Sequence, residues 1–359
     1  MRIGYLIDVN KGDYEQPFPT PADAAETLDL LIEDGILAER AGFHSVLAPH
    51  RHGRTENYFP SPEQLLTVLA RETDKVALGT YTFVNTCYHP MRSAEQFAII
   101  DNLSHGRLFT TVSRGFHPGY WGQFGLRDEK MLGRFLEGIK IWQEAFKNER
   151  FTFEGKYWQV YDGLLTPGPY QPGGWPIWGG GNASPEAIRR SATYGVAMTT
   201  DPSPIIKPLW EERAGAYRQA AEELGKKPFV CMMRDSWVAD SVAQAEKEFG
   251  PYFAAEWKFY FGHGIFTGDP SLKTVDDITL ENCAKHLVMG TPQQCIEQFE
   301  MYHEEYGVDY FIVRHRMPTG PSLTAAHEQI LRFGEEVVQP IHKKYPAPDH
   351  PAIPVACRW

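Results

Sequence analysis

The chain has no apolar run long enough to span a bilayer, no CxxC pair, no low-complexity tract and no excess of positive charge. Each absence removes a class of function. Without some 20 consecutive apolar residues there is nothing to build a membrane-spanning helix from. The opening "MRIGYLIDVNKGDYEQ" meets Asp8 too soon to read as the apolar segment of a secretory signal. Cysteine is scarce: Cys87, Cys231, Cys283, Cys295 and Cys357 are an odd, scattered set that reads as reduced thiols of a cytoplasmic protein. Lys and Arg total 35 against 46 Asp and Glu, a net charge of −11, which disfavours nucleic acid and anionic membrane as partners.

What the chain does have is aromatic surface and regular punctuation. Aromatic residues make up 13% of it, nine Trp among them, which points to a large apolar pocket. Apolar runs at 2–9, 43–48, 75–84, 106–113, 175–180, 195–200, 228–239 and 308–316 read as buried strands. Each is followed by a helical pattern, at 22–42, 61–73, 90–104, 128–147, 184–194, 204–224, 291–307 and 322–338. Strands alternating with helices imply a parallel sheet, and eight pairs in about 340 residues is the count of an α/β (β/α)8 TIM barrel. A doubly wound open sheet is the competing arrangement. Residues 1–340 then form a single catalytic domain with two insertions, a hairpin at 151–174 turning at Glu154-Gly155 and an irregular aromatic stretch at 241–288. A Pro-rich tail, 341–359, follows.

In a barrel the site lies at the C-terminal ends of the strands. His50 and His52 follow the second strand at a spacing that metallohydrolases use, but later strand ends offer no matching ligands, so no metal is expected. Ser113, Arg114 and Gly115 follow the fourth strand, and "GGGNAS" follows the fifth and opens a helix. A guanidinium beside glycines at a helix start suits one phosphate. The bland alternative is that Arg114 pairs locally and the glycines relieve crowding. Phe116, Trp121, Trp257, Phe259 and Phe261 in the loops of one barrel end would line a site for a flat or greasy ligand, though such residues are more often core. In 251–270, glycines follow the aromatics, which favours a mobile lid; a packed amphipathic helix is the alternative.

The segments "AGFHSVLAPHRHG", "HPMRSAEQFAIIDNLSHGRL", "SRGFHPGYWGQFG", "TPGPYQPGGWPIWGGGNAS" and "GVDYFIVRHRMPTG" resemble, in order, the bacterial luciferase-like flavin monooxygenases. The similarity covers roughly residues 1–340. It implies an FMN phosphate held by Arg114 with Gly180, Gly181, Asn182, Ala183 and Ser184. It also implies a cis peptide between Tyr81 and Thr82 under the flavin ring, Ser113 facing that ring, and His50 as acid/base. Luciferase itself has Glu-His-His where this chain has Pro49-His50-Arg51, so light emission is not expected.

The resemblance implies a monooxygenase that takes reduced FMN from a separate flavin reductase. O2 adds at the flavin C4a, and the resulting peroxide oxygenates a small apolar substrate. A homodimer is implied on the same ground. The alternatives are an F420-dependent oxidoreductase exchanging a hydride, and a flavin-binding protein without turnover.

Overall fold

The computed structural model describes all residues except 128–129, 181–183, 266–267 and 359. Its strands are β1 (Arg2–Leu6), β2 (Ser45–Ala48), β3 (Ala77–Val84), β4 (Leu108–Ser113), β5 (Phe151–Glu154), β6 (Gln159–Gly163), β7 (Ile177–Gly179), β8 (Ala197–Thr199), β9 (Val230–Val238), β10 (Val288–Gly290) and β11 (Tyr310–Arg314). Eight of them run parallel in the order β1-β2-β3-β4-β7-β8-β9-β11, and β11 returns to β1. The pairs Met198↔Val230 and Thr199↔Cys231 close the ring between β8 and β9. A closed ring decides for the (β/α)8 barrel over the open sheet.

Proline sets where the helices start. Those at Pro21, Pro62, Pro90, Pro185 and Pro292 each place it in the first turn, where no amide is missed and φ is already helical. Between barrel and helices lies one continuous core, with Ile3, Val46, Leu78, Phe97, Trp142 and Phe311 all buried in it. Inside the barrel, Leu47, Phe109, Trp178, Cys231 and Ile312 form a second. That inner core is closed from below by the chain's end. Ala352, Ile353 and Cys357 join it, Trp178 Nε1 donates to the Ala352 carbonyl at 2.9 Å, and His44 Nε2 donates to the Cys357 carbonyl at 2.9 Å.

The hairpin of β5 and β6 forms as expected. Its turn is pinned by the Glu137 carboxylate, which accepts from the amides of Lys156, Tyr157 and Trp158 at 2.9, 2.8 and 3.1 Å.

The stretch 241–288 differs from its reading as irregular. Val242–Gly262 is one 21-residue helix, carrying Pro251 in its interior. Gly250-Pro251 disguised it, since these are the residues least suited to mid-helix. It forms because Phe249, Phe253, Trp257 and Tyr260 on one face bury against Leu272, Ile278, Leu287 and Met289. The helix passes so close to Leu280 that a Cβ on Gly250 would lie 2.9 Å from its Cδ2. β10, absent from the sequence reading, extends the sheet outside the barrel by pairing with Ser236–Val238 of β9.

Candidate active site

A cavity of about 670 Å3 opens at the C-terminal ends of the barrel strands. His50, Tyr81, Thr82, Ser113 and Phe116 line it, and Arg114, Gly180 and Ser184 line it further along. Gly181, Asn182 and Ala183 lie outside the described residues, as does Phe266 of the aromatic stretch.

At the strand-to-helix junction only part of the glycine-rich stretch is described. The Gly180 amide donates to the Val112 carbonyl at 3.0 Å, so it is spent on the sheet. Glycine is required there by crowding: a Cβ would sit 2.6 Å from Thr82 Cγ2, and one on Gly179 2.4 Å from Ser191 Cβ. The helix Pro185–Tyr194 supplies the rest. Ser184 caps it, accepting from the Ala187 amide at 3.2 Å. Glu186 and Arg190 of its outer turns reach the same cavity as Arg114, which is exposed. A capped helix start with two guanidiniums fits a phosphate monoester.

The adjoining floor is built on β3. The β3–β4 register shifts between Thr80 and Phe83, and the Tyr81–Thr82 peptide within the shift is cis. Thr82 Oγ1 lies 2.7 Å from Ser113 Oγ, giving a hydroxyl pair at the cavity wall, and Tyr81 turns inward to donate to the Thr200 carbonyl.

His50 stacks near-parallel with Phe83 and with Tyr88, at 4.9 and 5.5 Å between ring centres, in a cluster in which those two rings are 6.1 Å from each other. Its Nδ1 faces the Val84 amide at 3.0 Å. An amide can only donate, so the His50 proton sits on Nε2. That atom is in short hydrogen-bond contact with His52 Nε2. Burial, and then His52, push the His50 pKa well below the usual histidine value, and burial pushes His52 to about 4. At neutral pH both rings are uncharged, in contrast to an acid/base poised near the working pH.

Beside them runs a buried ion network that the sequence reading missed. Arg51 Nη1 donates to Glu256 Oε1 at 3.0 Å and Nη2 to the Tyr260 hydroxyl at 2.7 Å. Arg314 grips Asp235 through Nε and Nη2 at 2.8 and 3.2 Å, and reaches Asp8 at 3.4 Å. Burial alone would raise the Glu256 pKa, but Arg51, then Arg314 and Arg54, hold it down to about 2. The signal was present: Glu256 and Tyr260 stand four apart, on one face of a helix, and Asp8, Asp235 and Arg314 lie in or just past the ends of barrel strands.

Four of the aromatic residues expected to line the site do not. Trp257 is fully buried, its Nε1 donating to Asp235 Oδ2 at 2.7 Å, and it packs in the core of 241–290. Phe261 joins the edge of that core. Phe259 lies under the Arg54 guanidinium at 4.4 Å, and Trp121 packs with Val84, Cys87 and Met131. Phe116 alone of the five faces the cavity, together with Tyr120, Tyr260 and His263.

A family model described as luciferase-like monooxygenase matches residues 1–309. The oxygenase component of a flavin-dependent trigonelline monooxygenase from Acinetobacter baylyi is 25% identical over 297 residues, 79% of this chain and 82% of that one. An F420-dependent glucose-6-phosphate dehydrogenase from Microbacterium testaceum is 26% identical over 330 residues, 88% and 94% of the two chains. Among solved structures, the oxygenating constituent of 3,6-diketocamphane monooxygenase from Pseudomonas putida, a type II Baeyer–Villiger enzyme in complex with FMN, superposes with a TM-score of 0.78. It shares 19% identity, and the match covers 94% of this chain and 98% of that one.

Proposed function

We propose, for a chain that belongs to the luciferase-like monooxygenase family, the activity of a flavin-dependent oxygenase that takes reduced FMN from a separate reductase and oxygenates a small organic substrate with O2. The observation that carries this reading is one cavity lined by two unlike sets of groups. Arg114, Arg190 and the Ser184-capped helix suit a phosphate, and beside them the Tyr81–Thr82 floor and the Ser113 hydroxyl suit the polar edge of a flat ring. FMN is favoured over F420 because the trigonelline oxygenase is flavin-dependent and the diketocamphane enzyme holds FMN.

Bound FMN in its reduced form would supply the two electrons that activate O2. The chain's own groups orient and enclose. Arg114 and Arg190 neutralise the phosphate, and Phe116, Tyr120, Tyr260 and Ile265 exclude water from the reacting end. His50 and His52 stay neutral, and His50 Nε2 donates its proton to a hydrogen bond with His52 Nε2. All five cysteines are free and buried, and no described helix is long and apolar enough to cross a membrane. A homodimer in the cytoplasm completes the proposal.

FMN titration followed by O2 consumption with reduced FMN and a substrate panel tests it. Substrate-dependent O2 uptake is expected. Hydride exchange with F420 without O2, or FMN binding without any turnover, would replace the reading.

A further inference from the structure

We propose that the cavity takes a flat aromatic carboxylate and that Arg51 anchors it; this rests on the same cavity holding FMN. Arg51 is 8% exposed and follows β2, whereas Arg114 follows β4 and the Ser184 helix follows β7, so the phosphate end leaves it unused. Two of its three nitrogens are committed, to Glu256 and Tyr260. Among the described residues no group accepts from its Nε, and Arg51 lines the cavity. Neighbouring arginines differ. Arg314 has all three nitrogens on Asp235 and Asp8, and Arg54 is paired with Glu56 and covered by Tyr14 and Phe259. Arg51 is thus the inner-wall guanidinium that keeps a donor for a ligand.

The surface around that donor is aromatic. Phe116 stands edge-on to Tyr260 at 6.1 Å and to Tyr120 at 5.5 Å, forming a wall against which a ring can lie. The wall suits a planar ring, and the single remaining Arg51 Nε donor suits one oxygen of a carboxylate.

The charges set the size of the effect. Arg51, Arg54, Arg314 and Arg316 are buried with Asp8, Glu56, Asp235 and Glu256, so cations and anions there balance. The anchor is then a directed charge-assisted hydrogen bond rather than a net positive field. Its selectivity for a carboxylate over the matching amide should be about tenfold.

The test compares benzoate with benzamide on the FMN-loaded protein, read by perturbation of the flavin absorbance and by calorimetry. Benzoate is expected to bind about tenfold tighter than benzamide. In Arg51→Gln the ratio should fall to near one while FMN affinity stays unchanged. In Glu256→Gln, which frees Arg51 of its counter-charge, benzoate should bind tighter than to the parent. This variant decides the matter if Arg51→Gln does not fold. Equal binding of the two probes by the parent, a preference that survives Arg51→Gln, unchanged benzoate affinity in Glu256→Gln, or loss of FMN binding with Arg51 would overturn the proposal. If the parent takes up no FMN, the cofactor reading fails instead, and calorimetry on the cofactor-free protein still reads the benzoate preference.

Discussion

The Nε2 atoms of His50 and His52 meet in a hydrogen bond, and the Val84 amide, donating to His50 Nδ1, makes His50 the donor in it. His52 therefore accepts the proton that the Val84 amide places on His50 Nε2. If His50 moves protons for the reaction, His52 is the residue that orients it. His50→Ala is expected to bind FMN normally and lose roughly 10²–10⁴-fold in turnover. His52→Ala should lose a similar factor, and the double variant no more than either single one, because the two act as a unit. Full turnover in His52→Ala beside a crippled His50→Ala would separate them.

Arg114 is exposed where it lines the cavity. Solvent screening puts its contribution at the low end of a charge-assisted bond, about 1.5 kcal/mol. Arg114→Ala should weaken FMN binding about tenfold. Titration of flavin fluorescence reads this directly, and an unchanged dissociation constant removes Arg114 from the site.

Periodicity located the barrel strands because each is a run of buried apolar residues, and periodicity is a local property. The helix Val242–Gly262 escaped because Gly250 and Pro251 contradict helix locally, and only packing against Leu272, Leu280 and Leu287 outweighs them. That Ser113 lines the cavity was legible from its place at a strand end, whereas Tyr81 came only from the resemblance. Residues set by side-chain pairing were not legible: nothing near Arg51 in sequence announces Glu256, 205 positions away. The aromatic stretch gave the right region and mostly the wrong residues, since which face of a helix turns to the cavity depends on the helix being there.

Buried histidines make stability depend on pH. Burial lowers the pKa of His44 to about 4, and likewise those of His52 and His315. The unfolded chain, with histidines near 6.5, therefore binds more protons than the folded one between pH 4 and 6.5, and stability falls as pH falls through that window. His327, raised chiefly by its hydrogen bond to Asp34 against the effect of burial, acts in the opposite sense. The loss from pH 7 to 5 should be roughly 1–2 kcal/mol per lowered histidine. Urea unfolding at the two pH values checks it: His44→Gln should show a smaller difference than the parent, and an equal one would refute the assignment.

Trp257 is a pillar of the 241–290 core rather than a ligand contact. Trp257→Ala should cost about 3–5 kcal/mol through the cavity it leaves. Trp257→Phe should cost about 1–3 kcal/mol through the lost donor to Asp235. Both are read by chemical denaturation, with FMN affinity of the folded fraction unchanged. A Trp257→Phe variant of full stability and altered substrate preference would return this residue to the site.

The tail closes the barrel at the end away from the cavity, and the matched family region stops well before it, at residue 309. Two buried donors depend on it, Trp178 Nε1 on the Ala352 carbonyl and His44 Nε2 on the Cys357 carbonyl. The Gln171 side chain further accepts from the Val355 amide at 3.1 Å. Removing residues 346–359 would leave those donors unpaired, at about 1–3 kcal/mol each, and uncover the apolar floor around Phe109 and Cys231. A chain of ordinary stability, about 5–15 kcal/mol, would not withstand that, so the truncated protein should be unfolded or dye-binding at 25 °C. Ile353→Ala offers a graded version. It should cost about 2–4 kcal/mol and leave FMN affinity alone, because the phosphate end lies across the barrel. Trp fluorescence melts compare the three proteins, and a truncated chain as stable as the parent would show the tail to be merely draped on a barrel that is complete without it.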